Sequence, residues 1–293
     1  MFHQKFFAQL VLTFLLLQIS HVLSESVAKI MNSEHQVRYG NGHRCSGVLI
    51  SNFTVLTAAS CLLKDDSGEF YQADELSVAI GNLNRFERID LLTFDSPVSA
   101  VKVHGRFNKK TYLNNLALLE VDSVEFSAHV LPILTSSEVI SDNLNCYVLG
   151  WRNSSSGQLT DDLMRFDAQT KTRTTCGQKL FPFATFCSAD PMLPLPILDT
   201  CVGEEGSGLI CMGQDMYELR GIVSKTCKIG ERTQYTDVSQ LINWIAISHF
   251  EESLKIIDND LLKSVVMSLL DLIAYYINTP KIADDFEIIK FLF

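Results

Sequence analysis

An all-β fold, either a sandwich or a pair of barrels, is predicted for the chain between about Val37 and Val238 on three observations. The apolar residues come in runs of four to seven; these runs are rich in Val, Ile, Leu and Phe; and Gly, Asn, Ser or Asp bounds them. In chain order they read SGVLIS, FTVLTAA, LSVAIG, ALLEV, CYVLGW and LRGIVS. No low-complexity segment or short-period repeat interrupts them.

Both flanks differ from this body. Residues 1–24 carry one basic residue, Lys5, then an apolar run from Phe6 to Leu17 that ends in HVLS. That pattern predicts a secretory signal peptide, because the run is shorter than the roughly 20 residues a bilayer requires. Residues 25–36 then form an N-terminal segment before a β domain over 37–250. Near Gln240 the period changes: LINWIAI opens a helical run, and Leu254, Ile257, Leu261, Val265, Leu269, Leu272 and Tyr276 follow at steps of three and four. The expectation is a helical extension over 251–293, ended by Pro280 and packed on the body or on a partner. Lys263 and Asp271 interrupt it too often for a membrane span.

Charge and cysteines narrow the function. The chain carries 24 Lys and Arg against 34 Asp and Glu, a net charge of −10, and loss of the leader removes one more cation, Lys5. Such a surface repels phosphate backbones and anionic headgroups, so neither nucleic acid nor membrane is an expected partner. All eight cysteines follow the leader, an even count that predicts four disulfides in an oxidising compartment. Without a C-x-x-C pair and with scattered histidines, no metal or other cofactor is expected. The sequons at Asn52 and Asn153 predict glycosylation and fit a secreted, extracellular protein.

Three stretches carry the chemistry: VLTAASC from Val55 to Cys61, NNLALLEV from Asn114 to Val121, and LDTCVGEEGSGLIC from Leu198 to Cys211. With CSGVLIS, CYVLGW, TFCSAD, GIVS and YTDV in order, they resemble the chymotrypsin-like, or trypsin-like, serine proteases over about Val37 to Phe250. The resemblance implies a double β-barrel. It also implies a triad in which a histidine takes the proton of a serine and a buried aspartate orients the imidazole. At those three positions this chain carries Ser60, Asn115 and Glu205, so the catalytic groups are replaced. Glu205 is expected either to fold back over the backbone N–H groups of Gly203 and Glu205, which would bind an oxyanion, or to point into solvent. Ser60 and Ser207 offer hydroxyls, yet His35, His43, His104, His129 and His249 match no catalytic position, so no base is expected to activate them.

The same resemblance implies further expectations. Family zymogens are cut ahead of an I-V-G-G-like start whose new amino group pairs with the acid before the nucleophile. Here the nearest relic is KIMNS, Lys29 to Ser33, and the acid is Glu204. Asp199 matches the acid that selects Lys or Arg, while Lys225 replaces a wall tryptophan and Thr233 a glycine. This predicts a closed pocket in which Lys225 approaches Asp199, or else a passive Asp199. The implied disulfides are Cys45–Cys61, Cys146–Cys211, Cys176–Cys187 and Cys201–Cys227. What results is a non-catalytic homologue that binds a secreted protease, inhibitor or glycoprotein. Such homologues are common in insects, as cascade cofactors or decoys or as reproductive-fluid proteins. No cysteine-rich clip segment stands between Ser24 and Cys45, which tilts the expectation toward reproduction and away from an immune cascade. A residual trypsin-like peptidase and a matrix or storage role are the other readings.

Overall fold

The computed structural model describes residues 27–32, 43–64, 67–85, 94–127, 130–152, 159–177, 183–189, 203–214, 216–225 and 232–255. The first six strands are β1 (Val27–Asn32), β2 (His43–Leu49), β3 (Thr54–Thr57), β4 (Leu76–Ile80), β5 (Phe94–Val103) and β6 (Ala117–Val121). They close a barrel in the order β1-β2-β3-β6-β5-β4, with β1 pairing back onto β4. Closure removes every edge, and the buried Ile30, Leu49, Val78, Ile80 and Leu119 share one face of it.

The second half contains β7 (Leu134–Thr135), β8 (Asn145–Arg152), β9 (Leu159–Lys171), β10 (Thr185–Ala189), β11 (Gly208–Met212), β12 (Tyr217–Lys225) and β13 (Gln234–Asp237). Its order is β11-β8-β9-β10-β13-β12, with β11 pairing β12 to close the ring and β7 added parallel to β12. Phe186 and Tyr235 stack at its centre, 5.1 Å apart and inclined by 15°, among Val148, Ala168, Leu209 and Val223. Burial of one such aromatic stabilises by about 1.5–3 kcal/mol. Gly221 makes room for the stack, since a Cβ there would stand 2.7 Å from the Phe186 ring. The double β-barrel is therefore the fold of this chain.

Disulfides join Cys45 to Cys61, Cys146 to Cys211 and Cys176 to Cys187. Cys146 and Cys211 are register partners on β8 and β11, so that bond crosses directly between neighbouring strands. Each such link is worth about 2–4 kcal/mol through the unfolded chain it constrains. The implied Cys201–Cys227 pair lies outside the described residues.

The strands reach further toward the N-terminus than residue 37. The barrel takes in residues ahead of 37: Lys29 pairs with Ser46 on one side and Ala79 on the other. Residues 29–32 of KIMNS are thus strand, and Ser33 lies outside the described residues. A six-membered ring needs this segment to pair on both edges, and Val27, Ala28 and Ile30 are buried in it. At the other end, helix α1 spans Val238–Lys255, opening close to the expected position. Asp237 caps it, its Oδ1 accepting from Ser239 N at 3.0 Å and Ser239 Oγ at 2.7 Å. The chain divides into compact units at Ile242 and Asn243, both barrels belonging to the first. Ile256 to Tyr276, most of the periodic stretch, lies outside the described residues, as do the leader and Asn153. Among the described residues no helix is long and apolar enough to cross a membrane.

Candidate functional site

Ser60, Asn115 and Glu205 meet where the barrels face each other. Ser60 lies in the helical turn Ala59–Leu62 after β3, Asn115 just before β6, and Glu205 in the glycine turn before β11. Ser60 Oγ donates to Glu205 Oε2 at 2.9 Å. Asn115 Oδ1 accepts from Ser60 N at 2.8 Å, and Asn115 Nδ2 donates to Ser60 Oγ at 3.0 Å. The same amide nitrogen donates to Ser224 O at 2.7 Å and lies 3.1 Å from Ser224 Oγ, while Thr236 Oγ1 donates to Asn115 O. Glu205, Ser60, Asn115 and Ser224 form one hydrogen-bonded chain across the interface. Glu205 reaches over to Ser60, whose hydroxyl faces it across the cleft.

This geometry holds the Ser60 hydroxyl between an acceptor and a donor. The Ser60 hydroxyl donates to the Glu205 carboxylate, not to an imidazole. Its oxygen in turn accepts from the Asn115 amide, which engages a lone pair that attack on an electrophile would need. Two imidazoles have their own partners. His104 Nδ1 accepts from Arg106 N at 3.2 Å, and burial with the Arg106 charge pushes this histidine's pKa down. His43 is engaged elsewhere.

Its partner is Glu204, the neighbour of Glu205. His43 Nε2 lies 3.0 Å from Glu204 Oε1, and Ser46 Oγ donates to the same oxygen at 2.5 Å. All three side chains are buried, and the His43 ring meets Trp151 edge-on at 5.3 Å. The acid that could have received a new chain end is satisfied by groups on β2. Sequence reasoning missed this pair, whose members are 161 positions apart; the one local sign was a histidine two residues before Cys45.

Glycines press the turn against both barrels. Gly206 has φ +86°, and a Cβ on it would fall 1.9 Å from Ser46 O; at Gly203, φ is +70° and a Cβ would meet Val148 at 2.5 Å. Backbone bonds complete the attachment: Ser46 N to Glu205 O at 3.1 Å, Gly206 N to Val223 O at 2.9 Å, and Val223 N to Ser207 O at 2.8 Å. Ser207 is buried within the turn, its Oγ accepting from Glu204 N.

The remaining expected residues separate. Asp199 lies outside the described residues. Lys225 is exposed, with Nζ 5.7 Å from the centre of the Tyr112 ring, so it is no internal cation. Strand alternation explains the difference, since Ser224 points inward to Asn115 and its neighbour must point away. Tyr112 adopts φ 57°, and burial with the Glu205 charge pushes its phenol pKa up. Thr233 is buried, its carbonyl accepting from Ser188 N at 3.2 Å. The Asn52 amide is at the surface, donating to Ser123 Oγ at 3.2 Å. Sulfurs of Cys45 and Cys61 and a Glu205 oxygen lie within 4.8 Å of one another, but sulfurs joined in a disulfide are not thiolate ligands for a metal.

The family model for trypsin matches residues 24–245. The chain belongs to the trypsin family. Among trypsin-family relatives, it is 29% identical over 232 residues to coagulation factor XII of Rattus norvegicus, covering 69% of this chain and 36% of that protein. It is 27% identical over 223 residues to the proclotting enzyme of Tachypleus tridentatus, covering 69% and 58%. Against ovochymase of Halocynthia roretzi it is 24% identical over 220 residues, covering 69% and 14%. In each case the chain spans less than two thirds of the relative's length.

Proposed function

We propose that this trypsin-family chain is a secreted, non-catalytic homologue that acts by binding another protein. The observation that carries this reading is the hydrogen-bonded chain of Glu205, Ser60, Asn115 and Ser224. It occupies the place of a nucleophile, a base and an orienting acid with groups that do not perform those roles. Loss of all three leaves only the residual rate that binding and an oxyanion site supply. Meanwhile the tightly packed turn and the closed barrels keep a rigid surface for recognition.

The partner is a secreted protease, protease inhibitor or glycoprotein. Two relatives carry clotting names, which favours an extracellular proteolytic cascade as the setting. Reproductive fluid is the second setting, and quantitative mass spectrometry across tissues and fluids separates them. The direct test of inactivity is labelling of the purified protein with a serine-reactive fluorophosphonate, beside cleavage of Lys- and Arg-containing peptides. Neither signal is expected. Labelling at Ser60 or Ser207 together with peptide cleavage overturns the reading.

A further inference from the structure

Four cations stand at one side of the degenerate site, on a chain whose net charge is −10. Arg106, Lys109 and Lys110 are exposed on the loop 104–114, and Lys225 is exposed at the end of β12. Lys225 Nζ over the Tyr112 ring joins the two elements into one surface. The loop is held by its own bonds. Asn108 Oδ1 accepts from Lys110 N at 2.9 Å and Thr111 N at 3.2 Å, Asn108 O accepts from Tyr112 N at 2.7 Å, and Asn114 Nδ2 donates to Arg106 O at 3.1 Å. The cations are therefore presented from a preorganised backbone, which lowers the entropy lost when they are engaged. Half-exposed Phe107 and Tyr112 lie among them. The nearby Lys64 is different, being neutralised by Glu75 at 2.8 Å.

We propose that this surface docks a short, extended acidic segment of a protein partner. Its carboxylates pair with Arg106, Lys109, Lys110 and Lys225, and its apolar side chains rest on Phe107 and Tyr112. Screening decides the class of partner. At physiological salt a charge is felt over about 8 Å, so a short segment meets only these cations. A long sulfated glycan would run on over a predominantly acidic protein, and it has no side chains for the two aromatic rings. The proposal deepens the binding function by naming the chemistry of the partner, and it rests on that reading for its biological role.

The experiment is fluorescence anisotropy of a labelled dodecapeptide of Glu and Asp with one central Tyr, titrated with the full secreted chain at 50 and 200 mM salt. Binding that weakens with salt is expected, with a loss of about tenfold or more when Lys110→Glu and Lys225→Glu are combined. An unchanged unfolding midpoint for that variant shows that its fold is intact. Two further single variants, Arg106→Glu and Lys109→Glu, each reduce affinity by a smaller factor. Absence of binding, or binding indifferent to these reversals, overturns the proposal. So does tighter, reversal-sensitive binding of heparin than of the peptide, which assigns the surface to a glycan. None of these outcomes alters the fluorophosphonate result, so failure here is distinguishable from failure of the non-catalytic reading.

Discussion

Glu204 and Glu205 are adjacent in one turn and meet opposite surroundings. Glu204 points back into the protein, 3% exposed, and binds His43 and Ser46 on β2. Glu205 points across the cleft, partly open to water, and receives the Ser60 hydroxyl. The first carboxylate fastens the turn to the first barrel; the second covers the place where substrate chemistry would occur. The turn is therefore held on both sides. One set of buried polar contacts maintains its shape while the other fills it.

Substitutions can break this contrast in order of size. Glu204→Ala leaves a buried imidazole and hydroxyl without their acceptor and is expected to destabilise by about 3–5 kcal/mol in urea unfolding. A loss below about 1 kcal/mol would erase the distinction between the two acids. Asn115→Ala removes the partner of Ser60 N and Ser224 O in a fully buried position, and a loss of about 2–3 kcal/mol is expected from the same measurement. Glu205→Ala, at a partly exposed end of the chain of bonds, is expected to change stability by less than about 1 kcal/mol.

The smallest effect sharpens the contrast with a third acid. Burial pushes the Asp237 carboxyl pKa up despite the bonds from Ser239. The folded protein therefore holds this proton at pH values where the unfolded chain has released it. Stability contributed here falls as pH rises through the folded pKa. Asp237→Asn keeps a capping oxygen and removes the desolvated charge, so it is expected to raise stability by about a few tenths of a kcal/mol at pH 7. That gain disappears on acidification below both pKa values. A loss at neutral pH would show that the ionised cap outweighs its desolvation.

Legibility followed the physics of each element. The six apolar runs that named strands in the sequence became β2, β3, β4, β6, β8 and β12. β1 escaped because Lys29 breaks a short run, while β5 and β9 escaped because they alternate toward solvent and never form an apolar block. At the site, motif spacing located Ser60, Asn115 and Glu205 before any coordinates did. It did not reveal their bonding: a side chain of Glu205's length has several rotamers, and the hydroxyl opposite selects one. The His43–Glu204 contact was hidden for another reason, since only barrel closure brings those distant positions together.

The nearness of the Glu205 carboxylate to the Cys45–Cys61 bond also bears on redox exchange. An incoming thiolate must approach these sulfurs against a neighbouring negative charge. The same charge disfavours the thiolate that has to leave, so both halves of the displacement are slowed. The Glu205 carboxylate thereby shields the covalent link beside it from attack by incoming nucleophiles.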